Sequence, residues 1–108
     1  MTVNEFIKKS NLEVLNLGDG NREILTGYCG DLLSIVMSKA PSDSIWFTVM
    51  NNINVLAVAT LADISAVVIC GAEVFDEFLV KAKEQNVTIL KSSKDVYSTI
   101  KEVGLLWK

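Results

Sequence analysis

The chain has 108 residues, with 10 Lys and Arg against 13 Asp and Glu for a net charge of −3, and half of its residues are hydrophobic. That length makes a single domain over 1–108, able to bury roughly two-thirds of its unfolded surface, and the composition excludes disorder and a linker or fibrous class. The acidic balance argues against nucleic acid, which asks for a basic stripe, and the lack of any histidine excludes Ser-His-Asp and Cys-His catalysis.

Thr2 followed by Glu5 reads as a capping box that starts a short helix to about Lys9, ended by Ser10-Asn11. Leu12 to Leu17 alternates apolar and polar and reads as a strand. Gly18-Asp19-Gly20-Asn21 is a strong turn; its hairpin-like character predicts one antiparallel pairing near the start of an otherwise parallel sheet. Glu23 to Thr26 is the next expected strand, stopping at Gly27-Tyr28-Cys29-Gly30, and Asp31 is placed to cap the following helix. Leu33, Val36, Met37 and Ala40 mark one face of that helix, which Pro41 to Ser44 breaks.

Ile45 to Met50 is the clearest strand, rich in β-branched and aromatic residues, and Asn51-Asn52 ends it and offers a cap. The segment 53–64 is apolar nearly all round. Its length and Ala/Leu content favour a helix buried on more than one side, the second side being either a subunit contact or the domain's own interior. Ala66 to Cys70 is a continuous apolar run ending at Gly71, the pattern of a strand covered on both faces. Phe75, Phe78, Leu79 and Ala82 mark an amphipathic helix with Asp76 and Glu77 in its first turn, which suits the helix dipole. Val87 to Leu90 is the last strand. Ser92 with Asp95 starts a final helix that Gly104 stops, leaving an apolar Leu105-Leu106-Trp107 tail free to dock on the domain or on a partner.

Strand and helix alternate three times from residue 45 onward, which implies a three-layer α/β/α domain with about five strands, mostly parallel or mixed. Cys29 and Cys70 form no CxxC motif, so no closed zinc site and no metal is expected. Met1 to Glu5 lacks the basic and apolar regions of a secretion signal, which favours a cytoplasmic protein with both thiols reduced. No apolar run reaches the ~20 residues of a membrane span.

In open α/β sheets ligands gather beyond the carboxyl ends of the strands. Three such ends stand out: Gly27-Tyr28-Cys29-Gly30-Asp31, Met50-Asn51-Asn52-Ile53-Asn54, and Cys70-Gly71-Ala72-Glu73. Gly27 and Gly30 can admit backbone close to an anion or nucleotide, with Tyr28 stacking on a base; the alternative is a tight turn, with Asp31 as a plain cap. Asn51, Asn52 and Asn54 offer amides suited to purine edges or ribose, or they serve only turn and cap chemistry. Gly71 reads more readily as a backbone necessity. No phosphate loop with Gly-Lys-Ser/Thr and no GxGxxG is present. Asp19, Asp31, Asp43 and Asp63 have no spacing that places two on one helix face for acid–base work.

These strand-end segments resemble the DRTGG domain family, related to the N-terminal domain of HPr kinase/phosphorylase. The resemblance covers about residues 12–100. It is carried by Thr26-Gly27-Tyr28 leading into Asp31-Leu32-Leu33-Ser34, by Trp46 to Asn54, by Val67 to Ala72 and by Ala82 to Leu90. It is nearest to the short, free-standing members. Where longer members carry Asp-Arg after the central strand, this chain has Asn51-Asn52; where they carry Thr-Gly-Gly, it has Cys70-Gly71-Ala72, so only Gly71 carries over by identity. In some longer members, joined to CBS domains and a pyrophosphatase, the assembly binds adenine nucleotides and regulates the enzyme.

The resemblance thus implies an HPr kinase N-terminal-domain-like fold and a non-catalytic regulatory module without a cofactor. The strand ends chosen above from the residues would form the edge for its small, nucleotide-like ligand: Gly27, Tyr28, Asp31, Thr48, Asn51, Asn52, Asn54, Cys70 and Gly71. A second expectation stays open: an interaction module with no small ligand, using the apolar 53–64 segment and the Leu105-Leu106-Trp107 tail to form a homodimer or, as the resemblance suggests, to pair with a redox or signalling enzyme.

Overall fold

The computed structural model describes residues 1–104 and Leu106. Their order is α1 (Val3–Ser10), β1 (Glu13–Asn16), β2 (Thr26–Cys29), α2 (Leu33–Lys39), β3 (Ser44–Thr48), α3 (Asn54–Leu61), β4 (Ala66–Cys70), α4 (Asp76–Glu84), β5 (Ile89–Ser92) and α5 (Val96–Val103). The five strands form one sheet in the order β1-β5-β4-β3-β2. β2 through β5 are mutually parallel and β1 runs antiparallel to β5, so the sheet is mixed.

The central strands β3 and β4 are buried at every residue, as the apolar runs Ile45 to Phe47 and Ala66 to Cys70 require. Their side chains alternate between two cores. Trp46, Val67, Ile69 and Ile89 point to the face covered by α2, α3 and α4. Ile45, Phe47, Val68, Cys70 and Leu90 point to the face covered by α1 and α5. The result is a three-layer α/β/α domain. Each fully buried large side chain contributes about 1.5–3 kcal/mol of apolar transfer. Trp46, wholly buried, also donates its indole N–H to the Gly30 carbonyl at 2.9 Å, so its polar atom is satisfied.

The capping box forms as the sequence specifies: the Glu5 N–H donates to Thr2 Oγ1 and the Thr2 N–H to Glu5 Oε1. Asn11, with φ 57° in the left-handed region, closes α1. At the other end of the chain Asp95 caps α5 by accepting from the Ser98 N–H at 2.7 Å. Ser92 belongs to β5 instead, where its hydroxyl meets that of Thr99 at 2.7 Å.

Two expectations about the first third of the chain are corrected. The turn at Gly18 to Asn21 does not fold β1 back on β2. The antiparallel partner of β1 is β5, with Glu13 opposite Lys91 and Val14 opposite Leu90, while β2 lies at the far edge of the sheet. Residues 17–25 therefore cross the amino-terminal end of the whole sheet as a strap. Gly18 donates its N–H to Thr88 Oγ1, Ser65 Oγ donates to the Glu23 carbonyl, and the Leu25 N–H donates to the Asp43 carbonyl. A Cβ on Gly18 would collide with the carbonyl oxygen of Asn86, which is the close approach that requires glycine there. The second correction concerns β2, which begins at Thr26 rather than Glu23, so Gly27 and Tyr28 are strand residues in register with Ile45 and Trp46.

α3 is buried along Val55, Leu56, Val58 and Ala59 and exposed along Ile53, Ala57 and Leu61. Its sequence is apolar all round, yet only one side meets its own domain. Leu106, half-buried, packs against the core under α1 and α5; Leu105 and Trp107 of the expected tail lie outside the described residues. No described helix is long and apolar enough to cross a membrane.

Candidate functional site

Parallel pairing brings the ends of β2, β3, β4 and β5 to one edge of the sheet, and the residues singled out from the sequence gather along it. Asp31 is the first departure. It does not cap α2, whose N-cap is Leu32 without any side-chain bond. Its Oδ1 instead accepts from Thr48 Oγ1 at 2.8 Å and from the Val49 N–H at 2.9 Å. Asp31 thus ties the end of β2 to the end of β3, and Thr48 is buried beneath it.

Asn52 Oδ1 accepts from the Asn54 N–H at 2.9 Å, a local turn that leads into α3. Its amide nitrogen has no partner among the described residues. Asn51 works over a longer range: its Nδ2 donates to the Glu73 carbonyl at 2.9 Å, joining the β3–α3 link to the β4–α4 link. Gly71 sits at φ +65° with its N–H bonded to the Ser92 carbonyl. Any other residue would be strained at that angle.

Cys70 is wholly buried. Burial raises its thiol above the ordinary range and the nearby charges of Asp31 and Asp95 add to the shift, which hydrogen bonding to Thr99 and Thr48 only partly offsets. It is therefore a packed thiol rather than a nucleophile. Cys29 is exposed, and both thiols are free.

The edge is not one pocket. Gly27, Tyr28 and Cys29 line a shallow cavity of about 200 Å³ with Phe47, Ile100 and Gly104. Asn51 and Asn52 line another of about 250 Å³ with Ile53, Phe75, Glu77 and Phe78. Gly71 lines a third of about 250 Å³ with Ala72, Glu73, Lys91, Ser92 and Ser93. Phe75, Glu77, Lys91 and Ser93 were not among the residues expected at this edge. Phe75 and Glu77 read as members of an amphipathic helix, and the edge position of Lys91 follows only from strand order.

The opposite edge carries the densest ionic cluster. Arg22, on the strap, reaches Asp43 at 3.0 Å and Asp63 at 2.7 Å, and Ser42 donates to Asp63 at 2.9 Å. The hydrogen bond from Ser42 and then Arg22 hold the Asp63 carboxyl below the ordinary range. Partial burial pulls the Arg22 guanidinium down, but the two carboxylates more than offset this and leave it raised. Asp43 and Asp63, unrelated by sequence spacing, meet across one guanidinium. With every charge paired, the cluster is suited to bracing the strap rather than to proton transfer. Among the described residues no group of three or more Cys, Asp and Glu is gathered as a metal ion would need.

No protein-family model matches the chain, and no curated protein matches it. Among solved structures it is similar to the CBS and DRTGG domains of the regulatory region of a Clostridium perfringens pyrophosphatase, crystallised with its activator diadenosine tetraphosphate. The TM-score is 0.66 at 12% sequence identity, over 94% of this chain and 45% of that one. This chain thus spans under half the length of its structural neighbour. At that identity the likeness establishes architecture: the chain has a DRTGG-like α/β fold.

Proposed function

We propose that this chain is a non-catalytic regulatory module that binds a small, nucleotide-like ligand along the carboxyl edge of its sheet. The observation that carries this reading is the fold it shares with a regulatory region whose activator is diadenosine tetraphosphate. The edge supports it. The cavities at Asn51-Asn52 and at Gly71 meet across the Asn51–Glu73 bond and are lined by amides, hydroxyls and apolar surface, the mixture that small-molecule sites use. The residues assigned to binding are Gly27, Tyr28, Asp31, Thr48, Asn51, Asn52, Asn54, Cys70 and Gly71. Asp31, Thr48, Asn54, Cys70 and Gly71 shape the edge, and Asn51 and Asn52 present amides to it. The free thiols suit a reducing, cytoplasmic setting.

The test is a thermal-shift screen of the whole chain against adenine and guanine nucleotides, dinucleoside polyphosphates and phosphosugars. A ligand at about a hundred times its Kd adds ~2.7 kcal/mol to stability. A concentration-dependent rise in Tm with one compound class, abolished in a folded Asn52→Ala variant, is the expected result. A rise that Asn52→Ala leaves intact removes Asn52 from the site, and no rise with any compound overturns the reading.

The outward side of α3 favours a second reading. Ile53 is 49% and Leu61 70% exposed, Ala57 lies between them on the same line, and residues 44–62 carry no charge. Two copies can meet there through a two-fold axis without burying a charge. Sedimentation should then show a dimer that Leu61→Glu dissociates; a monomer at all concentrations sinks this second reading.

A further inference from the structure

Two of the three helices of one layer begin without a polar cap: α2 starts at Leu32 and α4 at Phe75, and neither makes a side-chain cap bond. α3 differs, because Ile53 is already helical and Asn52 Oδ1 before it accepts from the Asn54 N–H. Leu32, Ile53 and Phe75 are 62%, 49% and 57% exposed. A helix ordinarily starts on Ser, Thr, Asp or Asn, whose oxygen satisfies a free N–H. A large apolar side chain there forgoes that bond and leaves apolar surface in water. Packing does not account for Phe75, because Phe78 seals that end of α4 at 2% exposure. Ile53 and Phe75 line the same cavity, whose remaining walls are Asn51, Asn52, Glu77 and Phe78.

The charges around this slot select what can enter. Asp76 and Glu77 occupy the first turn of α4, and Glu77 lines the slot. These carboxylates repel a phosphate but accept hydrogen bonds from ring N–H and amino groups. The free amide nitrogen of Asn52 can donate to a ring nitrogen. Across the 71–75 loop a cation is available. Lys91 lines the adjoining cavity with Ser92, Ser93 and Glu73, and it has no ion-pair partner among the described residues. The Asn51–Glu73 bond pins the loop between the two compartments.

We propose that the slot between Ile53 and Phe75 receives an uncharged planar ring of the purine class, with the phosphate end of the same ligand lying across the 71–75 loop at Lys91. This rests on the reading that the carboxyl edge binds a nucleotide-like molecule, and gives that molecule its orientation. Phe75 supplies a stacking face, Ile53 the opposite apolar wall, and Asn52 and Glu77 the edge contacts.

Calorimetric titration of the whole chain with adenosine, adenosine monophosphate, ribose 5-phosphate and diadenosine tetraphosphate tests it. Base stacking on an aromatic ring is lost in Phe75→Leu, so this variant should bind adenosine and adenosine monophosphate about tenfold more weakly, with ribose 5-phosphate unaffected. Lys91→Gln should weaken adenosine monophosphate and spare adenosine. Thermal melting checks that both substitutions leave the fold intact. Ribose 5-phosphate binding as tightly as adenosine monophosphate, or equal losses for all probes in Phe75→Leu, overturns the ring slot. Binding weakened by Lys91→Gln but not by Phe75→Leu removes the slot and leaves the edge reading standing. Binding affected by neither variant overturns the slot and its orientation, and no binding at all in the wild-type chain overturns both readings.

Discussion

The two helical layers are built to different rules. α1 and α5 start on Thr2 and Asp95, whose side chains accept the first free N–H groups. α2 and α4 start on Leu32 and Phe75, which accept none, whereas α3 is capped by Asn52. The first layer is closed at its helix starts; the second leaves the N–H groups of two helices, and the apolar side chains of Leu32, Ile53 and Phe75, open at the carboxyl edge. Both layers seal their faces of the sheet equally well, with Phe6 and Val36 alike at 0% exposure. The difference therefore lies at the helix starts rather than in the core. Local stability has been forgone where the proposed ligand sits, as functional sites commonly require.

Asp31 is where this contrast can be broken most strongly. It lies beside the start of α2 but serves the sheet, holding Thr48 Oγ1 and the Val49 N–H. Asp31→Ala should lower unfolding stability by about 1–2 kcal/mol, as expected for losing hydrogen bonds to a carboxylate and stranding a buried hydroxyl. Urea unfolding measures this. A loss no larger than that of an ordinary surface substitution would show that Asp31 does not tie β2 to β3.

Thr2→Ala attacks the capped layer and should cost about 1 kcal/mol. It should also change the acid limb of stability. Hydrogen bonding to the Thr2 backbone and then its side chain holds Glu5 below the ordinary carboxylate range, and the Ser98 backbone does the same for Asp95. Because these carboxylates are lowered in the folded state, their stabilisation is present above their unfolded pKa. It is lost as pH falls through the lowered folded values. Thr2→Ala removes part of the Glu5 shift, so the gap between variant and wild type should narrow on acidification in Tm-against-pH profiles. A constant gap would mean that Thr2 and Glu5 act independently.

The smallest effect has the opposite sign. Phe75→Ser supplies the cap that α4 lacks and should raise Tm, by roughly 0.5 kcal/mol of added stability, while removing the proposed stacking face. A lower Tm would show that Phe75 is needed for packing, and the contrast between the layers would then carry no functional meaning.

Much of this could be read from the sequence because it is local. The Thr2–Glu5 box and the unbroken burial of Ala66 to Cys70 depend on spacings of a few residues or on composition alone. The carboxyl edge was legible for the same reason, since parallel strands separated by helices must end together. Other features needed residues far apart in the chain. Glu13 faces Lys91, and that pairing sends the Gly18 turn across the sheet instead of into a hairpin. It is also what brings Lys91 to the edge. Asp31 had two partners available, the free N–H groups of α2 and the hydroxyl of Thr48, and spacing favoured the helix. The buried hydroxyl won because it has no water to turn to. The exposure of Phe75 was hidden in the same way: its spacing matches a core face, and only the packing of Phe78 shows which of the two rings the core admits. The sequence by itself determined the elements, their alternation and the edge where they converge, because these follow from short-range geometry and apolar pattern. Tertiary structure alone decided strand order, the division of that edge into three cavities and the side chains left open to them, because those depend on which distant groups compete for the same contact.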